Sequence, residues 1–134
     1  MKVKDRVTPD DITELGENEI FVFGSNESGI HGAGAAKAAL VFGAQIGVGF
    51  GHKGQTFAIP TKDWRINKLP IKYIKPYVER FIEYATVMKP YLFLVTKIGC
   101  GLAGYEVKDI APLFKSAINI PNIYLPEEFW EYYN

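Results

Sequence analysis

The sequence is poor in cysteine and in long apolar runs, and each scarcity excludes a class of protein. The single cysteine, Cys100, cannot form a disulfide bond within the chain, which fits a protein of the reducing cytoplasm. No window approaches the ~20 apolar residues of a membrane-spanning helix. Met1 is followed by charged residues rather than by the apolar stretch of a signal peptide. We therefore expect a cytoplasmic protein with no membrane partner.

An excess of charge of either sign is also missing. Lys and Arg number 15, as do Asp and Glu, so the formal net charge is zero. This balance argues against a protein held to nucleic acid mainly by counterion release, although it leaves room for a local basic patch. With 134 residues, 48% of them hydrophobic, the chain is expected to fold as one domain over residues 1–134.

Glycine, in contrast, is concentrated in two loops. The first loop, residues 24–34, follows an apolar run at 19–23 that predicts a buried strand, and it precedes small residues at 35–40 that predict a helix. Its glycines admit positive φ and let a ligand approach the backbone closely. A helix that begins there directs unpaired N–H groups into the loop, which favours an anion such as phosphate.

The second glycine loop, residues 99–105, follows the most continuous apolar run of the chain, Tyr91 to Ile98. Such a run predicts a central strand covered on both faces. The two loops would then meet at the carboxyl edge of a parallel sheet, where α/β proteins bind ligands. Neither loop has the Walker pattern. The second fits Gly-x-Gly-x-x-Gly, but the acid that a dinucleotide site needs is missing near Tyr124 and Leu125.

The remaining segments alternate between strand and helix patterns. This alternation predicts an α/β domain with a mainly parallel sheet. The individual predictions are a helical turn from Thr8 to Leu15, an irregular loop at 42–55, a strand at 56–60 that Pro60 ends, an amphipathic helix from Pro76, a helical stripe from Val107 to Phe114, a strand at 122–125 and a terminal helix at 127–133.

Three phrases of the sequence resemble the macrodomain family, and more closely a small bacterial and phage group within it. They are Phe-Val-Phe-Gly-Ser-Asn at 21–26, His-Gly-Ala-Gly-Ala-Ala at 31–36 and Ile-Gly-Cys-Gly-Leu-Ala-Gly-Tyr at 98–105, and the likeness extends over about residues 12–114. The resemblance implies a three-layer fold, with a mainly parallel central sheet and helices on both faces. It also implies binding of ADP-ribose, with the distal ribose on the first loop and the diphosphate on the second.

The chain departs from the family pattern at three places. A single asparagine, Asn26, ends the first strand, and Gly32-Ala33-Gly34 stands where the family has three glycines. Asp11 corresponds to the family acid that contacts the adenine amine, but Asp10 replaces the glycine before it. The resemblance therefore supports the ligand class more directly than any catalytic activity.

The resemblance and the loop chemistry together give a set of candidate residues, and no metal ion or cofactor is expected. Asn26 would set the distal ribose, and His31 or Asp63 would orient an attacking water. Each has a structural alternative, since Asn26 and Asp63 suit turns and His31 suits an exposed turn. The predicted ligand-binding residues are Gly24, Ser25, Gly32, Ala33, Gly34, Lys97, Gly99, Cys100, Gly101, Leu102, Ala103, Gly104 and Tyr105, the last either stacking on the ligand or packing in the core.

Three functions remain open at this point. The first is an enzyme that hydrolyses an ADP-ribose derivative at the distal ribose, as an ADP-ribose-1''-phosphate phosphatase or an ADP-ribosyl ester hydrolase. The second is a non-catalytic reader of ADP-ribose. The third is a nucleotide or RNA binding module that uses Lys62, Arg65 and Lys68. The oligomeric state and the roles of Asp11, His52 and the aromatic C-terminal segment also stay open.

Overall fold

The computed structural model describes residues 3–101 and 103–134 as an α/β fold with a five-stranded mixed sheet. Its elements are β1 (Glu19–Asn26), α1 (Gly34–Ala39), β2 (Gly51–Lys53), β3 (Thr56–Lys62), α2 (Ile71–Val87), β4 (Leu92–Val95), α3 (Val107–Ile110), β5 (Ile123–Tyr124) and α4 (Glu127–Tyr133), with 3₁₀ helices at Val3–Arg6, Leu40–Phe42 and Ala111–Asn119. No helix in these two ranges is both long enough and apolar enough to span a bilayer.

The sheet has the strand order β2-β3-β1-β4-β5. Strand β1 pairs in parallel with both β3 and β4, and β5 pairs in parallel with β4, which confirms the mainly parallel sheet. Only β2 is antiparallel to its neighbour, β3. The prediction of an irregular loop at 42–55 is wrong at β2, because that strand is held by backbone pairing to β3, which its glycine-rich composition does not reveal.

Alternate side chains of β1 belong to two separate core clusters. Ile20 and Val22 lie in the larger cluster, to which α2, the 3₁₀ helix at 111–119 and α4 contribute. Phe21 and Phe23 lie in the smaller cluster with Ala36 and Ala39 of α1. Since successive side chains of a strand point to opposite faces, the clusters lie on opposite sides of β1.

Helix α2 begins at Ile71 rather than at Pro76, and Pro76 lies inside it. Pro70 and Pro76 could each precede the first turn of a helix, and in the structure Pro70 occupies the N-cap position of α2. The earlier start brings Ile74, which is fully buried, onto the same core face as Val78. That burial offsets the backbone hydrogen bond that Pro76 cannot donate.

Two other boundaries predicted from local sequence are wrong. Strand β3 continues through Pro60 to Lys62, with a shift of register where it passes the end of β1. Residues 8–15 do not form the predicted helical turn, since Ile12 and Leu15 instead pack against the smaller core cluster. In both cases tertiary contacts outweigh the local signal.

Arg6 joins the beginning of the chain to its C-terminal segment. Its buried guanidinium donates hydrogen bonds to the carbonyl oxygens of Ile120 and Ile123, at 2.5 and 2.7 Å. Trp130 of α4 donates its indole N–H to the carbonyl of Arg6 at 2.9 Å. The predicted terminal helix is therefore present, and Phe129 and Trp130 on it are core residues.

Candidate functional site

A cavity of about 460 Å³ lies where the two glycine loops meet, at the carboxyl ends of β1, β3 and β4. The chain leaves β1 toward β3 and leaves β4 toward β5, on opposite sides of the β1–β4 pair. Open α/β sheets bind their ligands at such a switch point. The lining of this first cavity comprises Gly24, Ser25, Asn26, Ile30, Gly32, Ala33, Gly34, Ala35, Ala36, Thr61, Lys62, Ile66, Thr96, Lys97, Ile98, Gly99, Gly101 and Ala103.

A second cavity of about 470 Å³ adjoins the first and shares Ala35, Thr96, Lys97 and Gly101 with it. Its other lining residues are Thr8, Pro9, Asp10, Asp11, Ile12, Phe21, Cys100 and Pro126. The two cavities form one two-lobed cleft with Gly101 on the border between the lobes. Each lobe has the volume of an ordinary small-molecule site.

Residues of both loops that line this cleft have backbone N–H groups with no acceptor among the described residues. Within the part of the chain that the structure describes, the N–H groups of Gly32, Ala33, Gly101 and Ala103 donate to no protein acceptor. A Cβ atom placed on Gly32 or Gly101 would meet nothing within 4 Å. The cleft therefore has open backbone on two sides, which is the chemistry that binds phosphate and other anions.

Other glycines of the region serve packing instead. A Cβ on Gly29, where φ is +72°, would lie 2.4 Å from the carbonyl carbon of Gly47. A Cβ on Gly49 would lie 2.1 Å from the carbonyl oxygen of Asn26. The segment 43–51 thus packs directly on the backbone of the first loop, and this packing requires glycine on both sides.

Asn26 lines the first cavity, but its side chain is bonded to its own loop. The amide nitrogen donates to the carbonyl of Ile30 at 2.7 Å, and the amide oxygen accepts from the N–H of Ile30 at 2.9 Å and from the hydroxyl of Ser28 at 2.8 Å. This is the loop-capping arrangement that the sequence left open. A contact from Asn26 to a ribose remains a prediction.

His31 is buried behind the first cavity rather than exposed in a turn. Its Nε2 lies 2.8 Å from the carbonyl oxygen of Gln45, and because a carbonyl only accepts, Nε2 carries a hydrogen. In the neutral ring, Nδ1 then accepts the hydroxyl hydrogen of Ser25 at 3.1 Å. Ser25 lines the cavity and His31 does not, so His31 reaches the cavity through the Ser25 hydroxyl.

Asp63 does not join Asn26 and Ser25 at the first cavity. One of its carboxylate oxygens accepts the backbone N–H groups of Arg65 and Asn67, at 2.8 and 2.9 Å. This is an Asx-type turn, the alternative role that the sequence left open for Asp63. The structure thus gives Asp63 a turn-forming position, outside the residues that border the cleft.

Two lysines border the first cavity, and they differ in their partners. Lys97 forms an ion pair with Glu128 at 2.9 Å, which raises the pKa of Lys97 and lowers that of Glu128. Lys62 forms no ion pair with any described residue. Lys62 is therefore the better counter-charge for an anion, although only Lys97 is in the predicted ligand-binding set.

Three residues of the second loop differ in how they relate to the cleft. Tyr105 borders neither lobe, because its ring packs against the larger core and its hydroxyl donates to the carbonyl of Leu69. Gly104 closes a turn to Gly101 at 3.0 Å. Cys100 borders only the second lobe, and burial raises the pKa of its thiol to about 11. Leu102 lies outside the described residues.

Several residues of the cleft were absent from the predicted set. They share a position at the carboxyl end of a strand or in the connection that follows it, namely Ile30, Thr61, Lys62, Ile66, Thr96 and Ile98. The same rule that located the two loops would have found Thr61 and Thr96, since β3 and β4 end at the same edge. Ile66 depends on a turn whose course is not visible in the sequence.

His52 has no place in the cleft. Its ring contacts the hydroxyl of Tyr84 through Nδ1 and the carbonyl of Gly54 through Nε2, which fixes β2 against α2. Among residues 3–101 and 103–134, no group of three His, Cys, Asp or Glu side chains is arranged to hold a metal ion. Within the described residues, the cleft at the two glycine loops is therefore the strongest candidate ligand site.

No protein-family model, curated protein or solved structure matches this chain. The geometry of the two-lobed cleft and the motifs that surround it are therefore the features that bear on function.

Proposed function

We propose that this chain is a macrodomain-like protein that binds ADP-ribose or a derivative of it in the two-lobed cleft. One observation carries the proposal: two glycine loops contribute unpaired backbone N–H groups to a single cleft at the switch point of a parallel sheet. Such a cleft suits a ligand with phosphate at its centre and a flat or polar group at each end. The three-layer arrangement of that family belongs to the same proposal.

The lobes divide the ligand between them. The diphosphate would accept hydrogen bonds from the N–H groups of Gly101 and Ala103 on the second loop, with Lys62 as a nearby positive charge. The distal ribose would occupy the first lobe, against Gly32 and Ala33. The adenine would occupy the second lobe, where Asp11 stands at the wall and accepts the hydrogen bond of an amine.

Hydrolysis at the distal ribose is the activity we propose for this site. The oxygen of water would attack the phosphorus or the acyl carbon, and the bond from that atom to the anomeric oxygen of the ribose would break. A proton from the water would pass to the released ribose oxygen, which becomes a hydroxyl. We assign the transfer of that proton to Ser25 and His31, because Ser25 borders the first lobe and its hydroxyl is bonded to Nδ1 of His31. His31 would act through Ser25 rather than on the substrate itself.

A non-catalytic reader is the second candidate. Two polar groups that were expected to act on the substrate are instead hydrogen-bonded within the protein. The Asn26 amide is bonded to its own loop and the Asp63 carboxylate to its own turn, which favours a reader. Release of phosphate from ADP-ribose-1''-phosphate, or of ADP-ribose from an ester-linked protein, decides between the two. If the wild type turns over the substrate, and Ser25→Ala loses turnover but still binds, the protein is an enzyme. If the wild type binds without turnover, the protein is a non-catalytic reader.

Calorimetric titration with ADP-ribose, ATP and NAD tests the central claim. We expect the wild type to bind ADP-ribose, and Gly101→Val to lose at least about tenfold in affinity because the branched side chain fills the border between the lobes. Gly16→Val is the matched control, since Gly16 is not among the residues that line the cleft and the nearest atoms to a Cβ there belong to the Glu19 side chain, at 3.4 Å. Failure of the wild type to bind any of the three ligands contradicts the proposal.

A further inference from the structure

Positive charge is concentrated in one stretch of this neutral chain, residues 61–75. That stretch, the basic segment, contains five Lys or Arg residues and one acid, Asp63. The rest of the chain has ten basic and fourteen acidic residues. Arg65, Lys68, Lys72 and Lys75 are all exposed. A segregation of this kind produces a local positive potential that the net charge conceals.

Exposed aromatic rings accompany these charges. Trp64 is 62% exposed and Tyr73 is 53% exposed. The Arg65 guanidinium lies 4.6 Å from the centre of the Trp64 ring, and the Lys72 ammonium lies 5.2 Å from the centre of the Tyr73 ring. Exposed rings beside cations are the platform on which proteins stack unpaired bases while the cations meet the phosphates.

The loop that carries Trp64 is held rigidly. Asp63 donates its backbone N–H to the carbonyl of Asn67 at 2.7 Å, and its carboxylate accepts the N–H groups of Arg65 and Asn67. Lys62 and Lys68 form an antiparallel bridge at the base of the loop. The Trp64 ring is thus presented to solvent on a preorganised turn, so a partner would incur little cost in ordering that backbone.

The basic segment is continuous with the two-lobed cleft at one end and with a groove at the other. Lys62 and Ile66 border the first lobe. Leu69 and Tyr73 border a groove of about 450 Å³ on the N-terminal half of α2, with Glu27, Pro76, Tyr77 and Arg80 completing its wall. The acid in that wall, Glu27, is bonded to the Tyr77 hydroxyl at 2.7 Å. A chain-like partner could therefore follow the segment from the groove to the mouth of the cleft.

We propose that the basic segment binds single-stranded nucleic acid. Bases stack on Trp64 and Tyr73, and phosphates pair with Arg65, Lys68 and Lys72. A single strand fits better than a duplex, because stacking on these rings requires bases that are not already paired. It fits better than an acidic peptide, because the Asp and Glu side chains of an acidic stretch have no ring to stack on the two exposed aromatic rings. This function goes beyond ADP-ribose binding and does not depend on it.

Fluorescence anisotropy with labelled DNA and RNA single strands of about 12 nucleotides tests the proposal. With about three phosphates neutralised, raising the salt from about 50 to about 200 mM is expected to weaken binding roughly 20-fold. Trp64→Ala is expected to weaken binding about tenfold through the loss of one stacked base. Tyr132→Ala removes an exposed aromatic ring from α4, away from the segment, and is expected to leave the affinity unchanged.

A charge-matched pair of double variants separates the segment from the bulk charge of the protein. Arg65→Ala with Lys72→Ala is expected to abolish most of the binding and to flatten its salt dependence. Lys89→Ala with Lys115→Ala removes the same charge from exposed positions outside the segment and is expected to change the affinity less than about twofold. Unchanged circular dichroism and melting of the variants show that the effects are those of the surface.

Three results would overturn the proposal: no binding by the wild type at the lower salt, equal losses in the matched variants, or equally tight binding of a duplex or of polyglutamate. The titrations with ADP-ribose keep this proposal apart from the function of the cleft. If the protein binds the oligonucleotide but not ADP-ribose, the proposal for the basic segment is supported and the proposed function of the cleft is contradicted. If the protein binds ADP-ribose but not the oligonucleotide, only the proposal for the basic segment is contradicted.

Discussion

The part of the first glycine loop around Gly29 is packed against and bonded to neighbouring chain, whereas Gly32 in the same loop and Gly101 in the second loop border open space. Gly29 and Gly49 allow two backbones to touch, and Asn26 and His31 tie the loop to itself and to Gln45. At Gly101, by contrast, a Cβ would meet nothing within 4 Å. Glycine-rich composition therefore has two separate physical causes in this molecule, and only one of them points to a ligand.

The largest difference between a packed glycine and an open one is expected from single alanine substitutions. Gly49→Ala places a Cβ 2.1 Å from the carbonyl oxygen of Asn26, so the unfolding free energy should fall by about 3 kcal/mol or more. Gly101→Ala, at an open position, should change it by less than about 0.5 kcal/mol. Urea unfolding with an unchanged m-value measures both. Equal effects of the two substitutions would contradict the distinction between packed and open glycines.

The next effect concerns the amide that organises the first loop. Asn26→Ala removes three hydrogen bonds and leaves the N–H and carbonyl of Ile30 without them, so a loss of about 2 kcal/mol in stability is expected. Asn67→Ala, at an exposed asparagine whose bonds to described residues are made by its backbone, is the control and should be near neutral. Loss of ADP-ribose binding at unchanged stability would instead show that Asn26 serves the ligand.

The thiol of Cys100 tests the environment of the second loop. Burial raises its pKa to about 11 from the 9.0 of a free thiol, so alkylation by iodoacetamide near pH 8 should be at least about tenfold slower than in the urea-unfolded chain. The unfolded thiol ionises first, so its contribution to stability is complete below pH 9.0 and declines as the pH rises toward about 11. Equal rates in the two states would show a more exposed loop.

The smallest effect is expected at the ion pair beside the cleft. Glu128→Gln releases Lys97 from its partner, and the freed charge should tighten ADP-ribose binding about threefold at low salt, because exposed pairs are worth little. High salt should erase the gain. Glu131→Gln, on the same helix and outside the cleft, removes an equal charge and should leave the affinity unchanged. A gain in both variants would indicate only a change in net charge.

The sequence predicted those parts of the fold that depend on local pattern. The apolar runs that became β1 and β4, and the glycine loops after them, are located correctly because burial and chain direction place them at one edge. The start of α2 was assigned to Pro76 because both prolines give the same local signal, and only the packing of Ile74 distinguishes them. The sequence pattern does not predict β2, because this strand is defined by its backbone hydrogen bonds to β3 and not by its own residues.

The candidate site divides in the same way. Its backbone, in the two loops, could be predicted from glycine spacing. Its side-chain chemistry could not, since the roles of His31 and Asp63 depend on a carbonyl at Gln45 and on a turn to Asn67. Tyr105 was expected to stack on the ligand or to pack, and only the position of Leu69 determines that it packs.

Arg6 couples the stability of the first residues of the chain to that of the C-terminal segment. Its guanidinium supplies donors to carbonyls of the segment before β5, and its carbonyl holds the indole of Trp130. Deleting a few residues at the start of the chain would therefore be felt first at the other end. Hydrogen exchange of such a truncated protein should accelerate at residues 118–130 before it changes at the two glycine loops.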